Sequence, residues 1–152
     1  MELYRLTKSK YENDLSGTGA FLAGGRWNNK GTYLLYTAAS RSLAVVEALA
    51  HLVTVRNAEP YSMLVLYLPD DVALSVQTNS TLKSNWQSDL SYTQSLGDTW
   101  ARNNSSLLLQ VPSAIISKEY NFLLNPLHPQ ARQVKVLDFE PFTFDLRLKN
   151  EH

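Results

Sequence analysis

Gly24-Gly25-Arg26-Trp27-Asn28, followed by Tyr33-Leu34-Leu35-Tyr36 and then by residues 40–52, is the stretch from which the rest of the chain is read. Two adjacent glycines let a backbone approach a ligand closely or take positive φ. The arginine directly after them carries a planar fork of donors that suits phosphate. Tyr36 ends a short run of β-like character. Glu47 sits inside Ala44-Val45-Val46-Glu47-Ala48-Leu49-Ala50, a helix-forming segment that is otherwise apolar. Ser40 is an expected N-cap for that helix. On it Leu43, Val46, Ala50 and Val53 share one stripe, with Leu49 alongside. Glu47 falls beside the stripe, at the edge of the expected core, where a cleft carboxylate has to be.

Working outward, the flanking segments read as a mixture of strands and helices. Alternation over residues 2–6 predicts a first strand. Residues 10–25 are polar and hold Gly17, Gly19, Gly24 and Gly25, and they read as one long loop. A loop of that length inside a compact domain is usually functional. Strands are predicted over residues 32–36, 61–68, 73–76 and 106–111, with Trp86 as a local anchor. Residues 93–103 read as a helix despite Gly97, with Trp100 turned to the core. Residues 121–129 read as a turn-rich segment leading into a short helix at 129–133, and residues 134–144 as one or two strands bent or placed at an edge by Pro141. Residues 147–152 read as a frayed tail. Strands and helices that do not strictly alternate argue for an α+β fold.

Composition narrows the class. The chain has 152 residues, enough for one domain with one sizeable core, here the whole of 1–152 with its packed part at about 2–144. Its formal net charge is zero, which lacks the electrostatic footprint of a non-specific nucleic-acid binder. It has no cysteine, so neither a disulfide scaffold nor thiolate chemistry is available. No segment reads as a secretory leader or a membrane span, and a cytoplasmic protein is the expectation.

Each candidate side chain has an ordinary reading beside its functional one. Arg26 is either a surface cation or a phosphate clamp, and no P-loop or dinucleotide fingerprint accompanies it. Glu47 is either a solvated helix former or a carboxylate held for chemistry. Tyr36 is either a half-buried strand residue or a ring that stacks on a flat heterocycle. Tyr33, on the other face of the expected strand, reads as core. Ser113, just past Pro112 at a strand end, is either a turn cap or a functional hydroxyl. No Gly-x-Ser-x-Gly elbow marks it as a nucleophile. Trp27, Asn28 and Asn125 are supporting candidates. His51 and His128 show no metal-ligand spacing, so no metal site is expected.

With Val111-Pro112-Ser113-Ala114-Ile115 and residues 121–129, these motifs resemble the RES domain family, from Tyr4-Arg5 to about Asp138. The resemblance implies a single α+β domain similar to the ADP-ribosyltransferase toxins, with mixed central sheets and a few flanking helices. It implies a toxin of a bacterial toxin–antitoxin pair with NAD as substrate rather than cofactor. In that reading Arg26, Tyr36, Glu47 and Ser113 are the catalytic set. Arg26, Trp27, Asn28, Tyr36, Ser113 and Asn125 bind the substrate. Arg26 holds the pyrophosphate, Tyr36 meets nicotinamide, Glu47 faces positive charge at the ribose, and Ser113 bonds ribose or the carboxamide. Breaking the nicotinamide–ribose bond builds oxocarbenium character, which a carboxylate stabilises. The acceptor is left open between water, inorganic phosphate as co-substrate, and a protein. The implied partner is a helix-turn-helix antitoxin of the Xre type that covers the active site and itself binds DNA. A non-catalytic nucleotide-binding module is the reading from another class.

Overall fold

The computed structural model describes residues 1–52 and 59–149. Seven strands form one mixed sheet: β1 (Glu2–Lys8), β2 (Leu35–Ala38), β3 (Tyr61–Tyr67), β4 (Leu74–Val76), β5 (Leu108–Pro112), β6 (Tyr120–Leu124) and β7 (Lys135–Phe142). Their spatial order is β4-β5-β6-β2-β1-β3-β7. All neighbouring pairs are antiparallel except β4–β5. Among the described residues three α-helices accompany the sheet: α1 (Thr18–Ala23), α2 (Arg41–His51) and α3 (Leu90–Asn103). The fold is therefore α+β.

Register assigns each side chain its face. Tyr4 pairs with Ala38, Tyr36 with Leu123, and Ala38 with Asn121, so these residues share the face that carries α2. There Leu43 and Ala44 of α2 pack on Ala38 and Met63. The opposite face buries Leu3, Leu35, Leu64, Leu66 and Phe122 in the largest core cluster. A further cluster joins Trp27, Trp86 and Trp100 to Leu109, Val111 and Leu123.

The sheet is weakest at its centre. β1 and β3 pair along seven residues, but β1 and β2 share the single registered pair Tyr4–Ala38. Leu6 would next face Tyr36, yet the ladder has ended. The Tyr36 carbonyl instead accepts a 3.0 Å hydrogen bond from Nη1 of Arg5. A backbone acceptor left by the parted strands is thus satisfied by a side chain.

Several sequence expectations shift. Residues 10–25 are not one loop: they contain a 3₁₀ turn (Ser9–Tyr11) and α1. The strand expected at 32–36 lies at Leu35–Ala38, and Tyr33 precedes it, half-buried and stacked on Phe21 at 4.3 Å. Residues 121–124, the start of the segment expected as turn, belong to β6 between β5 and β2. On α2 the buried positions are Leu43 and Ala44, while Ala50 is exposed, so the apolar stripe is turned toward the helix start. Val53 of that stripe, and the end of the tail at 150–152, lie outside the described residues. Ser40 does cap α2, accepting 3.1 Å from the Leu43 amide. Among the described residues no helix is long and apolar enough to cross a membrane.

Candidate active site

A cavity of about 670 Å³ opens where β1 and β2 part. Its walls come from β1 (Arg5, Thr7), from α1 and the following glycines, from β2 (Tyr36), from α2 (Glu47, His51) and from β6 (Asn121). That volume lies within the roughly 300–1,000 Å³ usual for small-ligand sites.

Glu47 is half-buried, one turn beyond Leu43 and Ala44, which seat α2 on the sheet. Its Oε1 accepts from Ser113 Oγ at 2.7 Å and from Asn121 Nδ2 at 2.8 Å. Ser113 Oγ in turn accepts from the amides of Ile115 and Ile116 at 3.1 and 3.0 Å. Those two donations leave the hydroxyl proton for Glu47. A carboxylate that has no partner in its own helix is therefore fixed by two residues far along the chain.

Arg26 lines the cavity from another wall. Its Nη1 donates to the Gln87 carbonyl at 3.0 Å, and its own carbonyl accepts from Thr93 Oγ1 at 2.6 Å. The glycine beside it is required by packing. A Cβ on Gly25 would lie 2.6 Å from the Tyr36 hydroxyl oxygen. That hydroxyl donates to Asn28 Oδ1 at 2.6 Å and accepts from the Trp27 amide at 3.0 Å, so the Tyr36 ring is held rigidly. Burial pushes its phenol well above the usual tyrosine range, with the Trp27 amide acting the other way.

Arg5 was not singled out from the sequence. It lines the cavity, and burial pulls its guanidinium below the usual arginine value while Asp14 opposes that shift. No carboxylate lies within ion-pairing distance of it among the described residues. A cation in a buried site without a paired carboxylate is suited to an anionic ligand. The available signal was a cation between Tyr4 and Leu6 in the middle of the strand. Asn121 was likewise missed, because its segment reads as turn.

The structure brings Arg26, Tyr36 and Glu47 to one cavity, but it places four expected residues elsewhere. Ser113 is buried, does not line the cavity and donates its hydroxyl proton to Glu47. Trp27 is buried against Trp86, with ring centroids 5.7 Å apart. Asn28 is fully buried, donating to the Ala20 carbonyl at 2.9 Å while it accepts from Tyr36. Asn125 donates to Ala101 O and Asn104 Oδ1 at 3.1 and 2.9 Å, closing the turn after β6 away from the cavity. Arg26 and Glu47 share the cavity but form no ion pair with each other.

Comparison with known proteins places the chain among relatives. Residues 2–145 match the RES domain. The chain is 40% identical to "Toxin Res" of Photorhabdus laumondii over 146 residues, 91% of this chain and 93% of that one. It is 36% identical to "Prs ADP-ribosylating toxin" of a Sphingobium species over 140 residues, 90% of this chain and 87% of that one. Among solved structures, a chain of the M. tuberculosis MbcT–MbcA toxin–antitoxin complex superposes with a TM-score of 0.75 at 20% identity, over 93% of this chain and 84% of that chain. The last likeness shows a shared fold. The match along nearly the whole sequence shows more: this chain belongs to the RES domain family.

Proposed function

We propose that this protein is the toxin of a bacterial toxin–antitoxin pair and that it depletes NAD by cleaving the nicotinamide–ribose bond. The observation that carries the reading is a carboxylate, Glu47, braced by Ser113 and Asn121 at the wall of a cavity that two arginines and a clamped tyrosine also line. Similarity to relatives named as toxins supports the first half of it.

In this reading Arg5 and Arg26 hold the pyrophosphate, and the immobile Tyr36 ring is a wall for nicotinamide. The C1′–N bond breaks, and nicotinamide leaves neutral with the bonding electron pair. Positive charge builds at C1′, where the Glu47 carboxylate stabilises it. The acceptor oxygen, from water or inorganic phosphate, then bonds C1′ and releases its proton to solvent. Preorganised charge of this kind is commonly worth about 2.7–4 kcal/mol per group. Acting on the NAD pool implies a cytoplasmic site of action.

A second reading, transfer of ADP-ribose to a protein, is favoured by the name of the Sphingobium relative. The partner proposed is an antitoxin that covers the cavity mouth and carries a DNA-binding helix-turn-helix of its own. The MbcT–MbcA toxin–antitoxin complex supports an antitoxin partner. The deciding experiment follows NAD in cells after brief induction of the wild type or Glu47→Gln, then assays the purified protein with and without phosphate. NAD falling for the wild type alone is the expected result. No fall in either, from folded protein, overturns NAD depletion and turns attention to protein modification.

A further inference from the structure

Asn121 carries an acceptor that nothing among the described residues uses. It stands near the start of β6, opposite Ala38 on β2 and Val111 on β5, and it lines the cavity. Its Nδ2 donates to Glu47 Oε1 at 2.8 Å. Its Oδ1 is buried and has no hydrogen-bond partner among the described residues. The amide cannot relieve this by turning over, because Oδ1 would then face the Glu47 carboxylate oxygen. Glu47 shows the matching asymmetry: Oε1 holds both donors, and Oε2 accepts none among the described residues.

The cavity wall therefore carries two acceptors that receive no donor among the described residues, Glu47 Oε2 and, just beneath the surface, Asn121 Oδ1, on side chains tied together by one hydrogen bond. Such a pair repels phosphate, which brings only acceptors, and suits a group with two neighbouring donors. A ribose cis-diol is such a group. Resting on the NAD reading above, we propose that Asn121 reads the nicotinamide-side ribose: Oδ1 accepts from the 3′-hydroxyl while Glu47 Oε2 accepts from the 2′-hydroxyl. Glu47 takes the hydroxyl nearer C1′ because the charge it stabilises develops there. Oδ1 is shielded from bulk water, so its bond to the ligand replaces no bond to solvent, and an analogue lacking the hydroxyl leaves it unpaired. The proposal therefore includes a rotation of the amide on ligand binding, which brings Oδ1 to the cavity that the side chain lines.

The test measures kcat/KM of purified wild type, Asn121→Ala and Asn121→Ser on NAD and on its 2′-deoxy and 3′-deoxy analogues at the nicotinamide ribose. The wild type is expected to lose about tenfold on the 3′-deoxy analogue. Both variants should use NAD and the 3′-deoxy analogue equally, yet still discriminate against the 2′-deoxy one. If Asn121 only props Glu47, both variants lose activity on NAD and on the 3′-deoxy analogue by the same factor, and the proposal falls. It falls too if the wild type does not discriminate against the 3′-deoxy analogue, whether or not the variants fold. A wild type that discriminates, beside variants that do not, supports it. A wild type that neither binds nor consumes NAD overturns the NAD reading and this one together, whereas NAD turnover with unchanged ratios overturns this one alone.

Discussion

Glu47 shows what one residue owes to its surroundings. Its helix gives it position, and Ser113 and Asn121 give it direction. Replacing it by Gln keeps the shape and removes the charge, so kcat for NAD cleavage is expected to fall about 10²- to 10³-fold with the melting temperature nearly unchanged. Ser113→Ala should act through Glu47. It strands the Ile115 and Ile116 amides and frees one side of the carboxylate, so kcat drops while KM holds, at a stability cost of about 1–2 kcal/mol. Unchanged kcat in that variant would sink the positioning role. Arg5 separates stability from function. Arg5→Met removes a buried cation lacking a paired carboxylate but also the donor to the Tyr36 carbonyl, so the two effects oppose and denaturant unfolding should move by no more than about 1 kcal/mol. Its KM for NAD should rise at least tenfold.

At the scale of elements, Gly97 ties α3 to the loop that carries Arg26. A Cβ there would lie 1.7 Å from the Trp27 carbonyl oxygen, so backbone, not a flexible side chain, must give way. Gly97→Ala is expected to lower stability by about 3 kcal/mol or more and to displace Arg26, which a thermal melt and a KM measurement read together. In sequence this glycine registers only as a weak point in a helix; its packing purpose is tertiary. Element reading succeeded where pattern and punctuation agreed, as in β3, in α2 with its Ser40 cap, and in the edge strand β7 with Pro141. It failed at β6, where Asn125-Pro126 and His128-Pro129 masked the buried run Phe122-Leu123-Leu124 just before them. It failed at α1, a six-residue helix with no buried residue, enclosed by glycines. The site was legible to a similar degree. Residue type and spacing mark Arg26, Tyr36 and Glu47, but the bonds that hold Glu47 span 66 and 74 residues, and no local pattern records them.

For the molecule as a whole, pH tests how the central clamp is built. The folded Tyr36 phenol binds its proton more tightly than the unfolded chain does. Its contribution is present in full below the unfolded value near pH 10, and it declines as pH rises from there toward the higher folded value. Urea unfolding across that alkaline limb should therefore fall less steeply for Tyr36→Phe than for the wild type. An identical slope would mean that the clamp does not report on global unfolding.

The position of β6 also bears on synthesis. It is the strand between β5 and β2, and it is encoded after residue 119. A nascent chain that has not reached it lacks the link between β5 and β2. It lacks Asn121 as well, and Ser113 arrives only shortly before. Glu47 is made long before Ser113 and Asn121 can brace it, so a growing or prematurely terminated chain carries the carboxylate without its two partners.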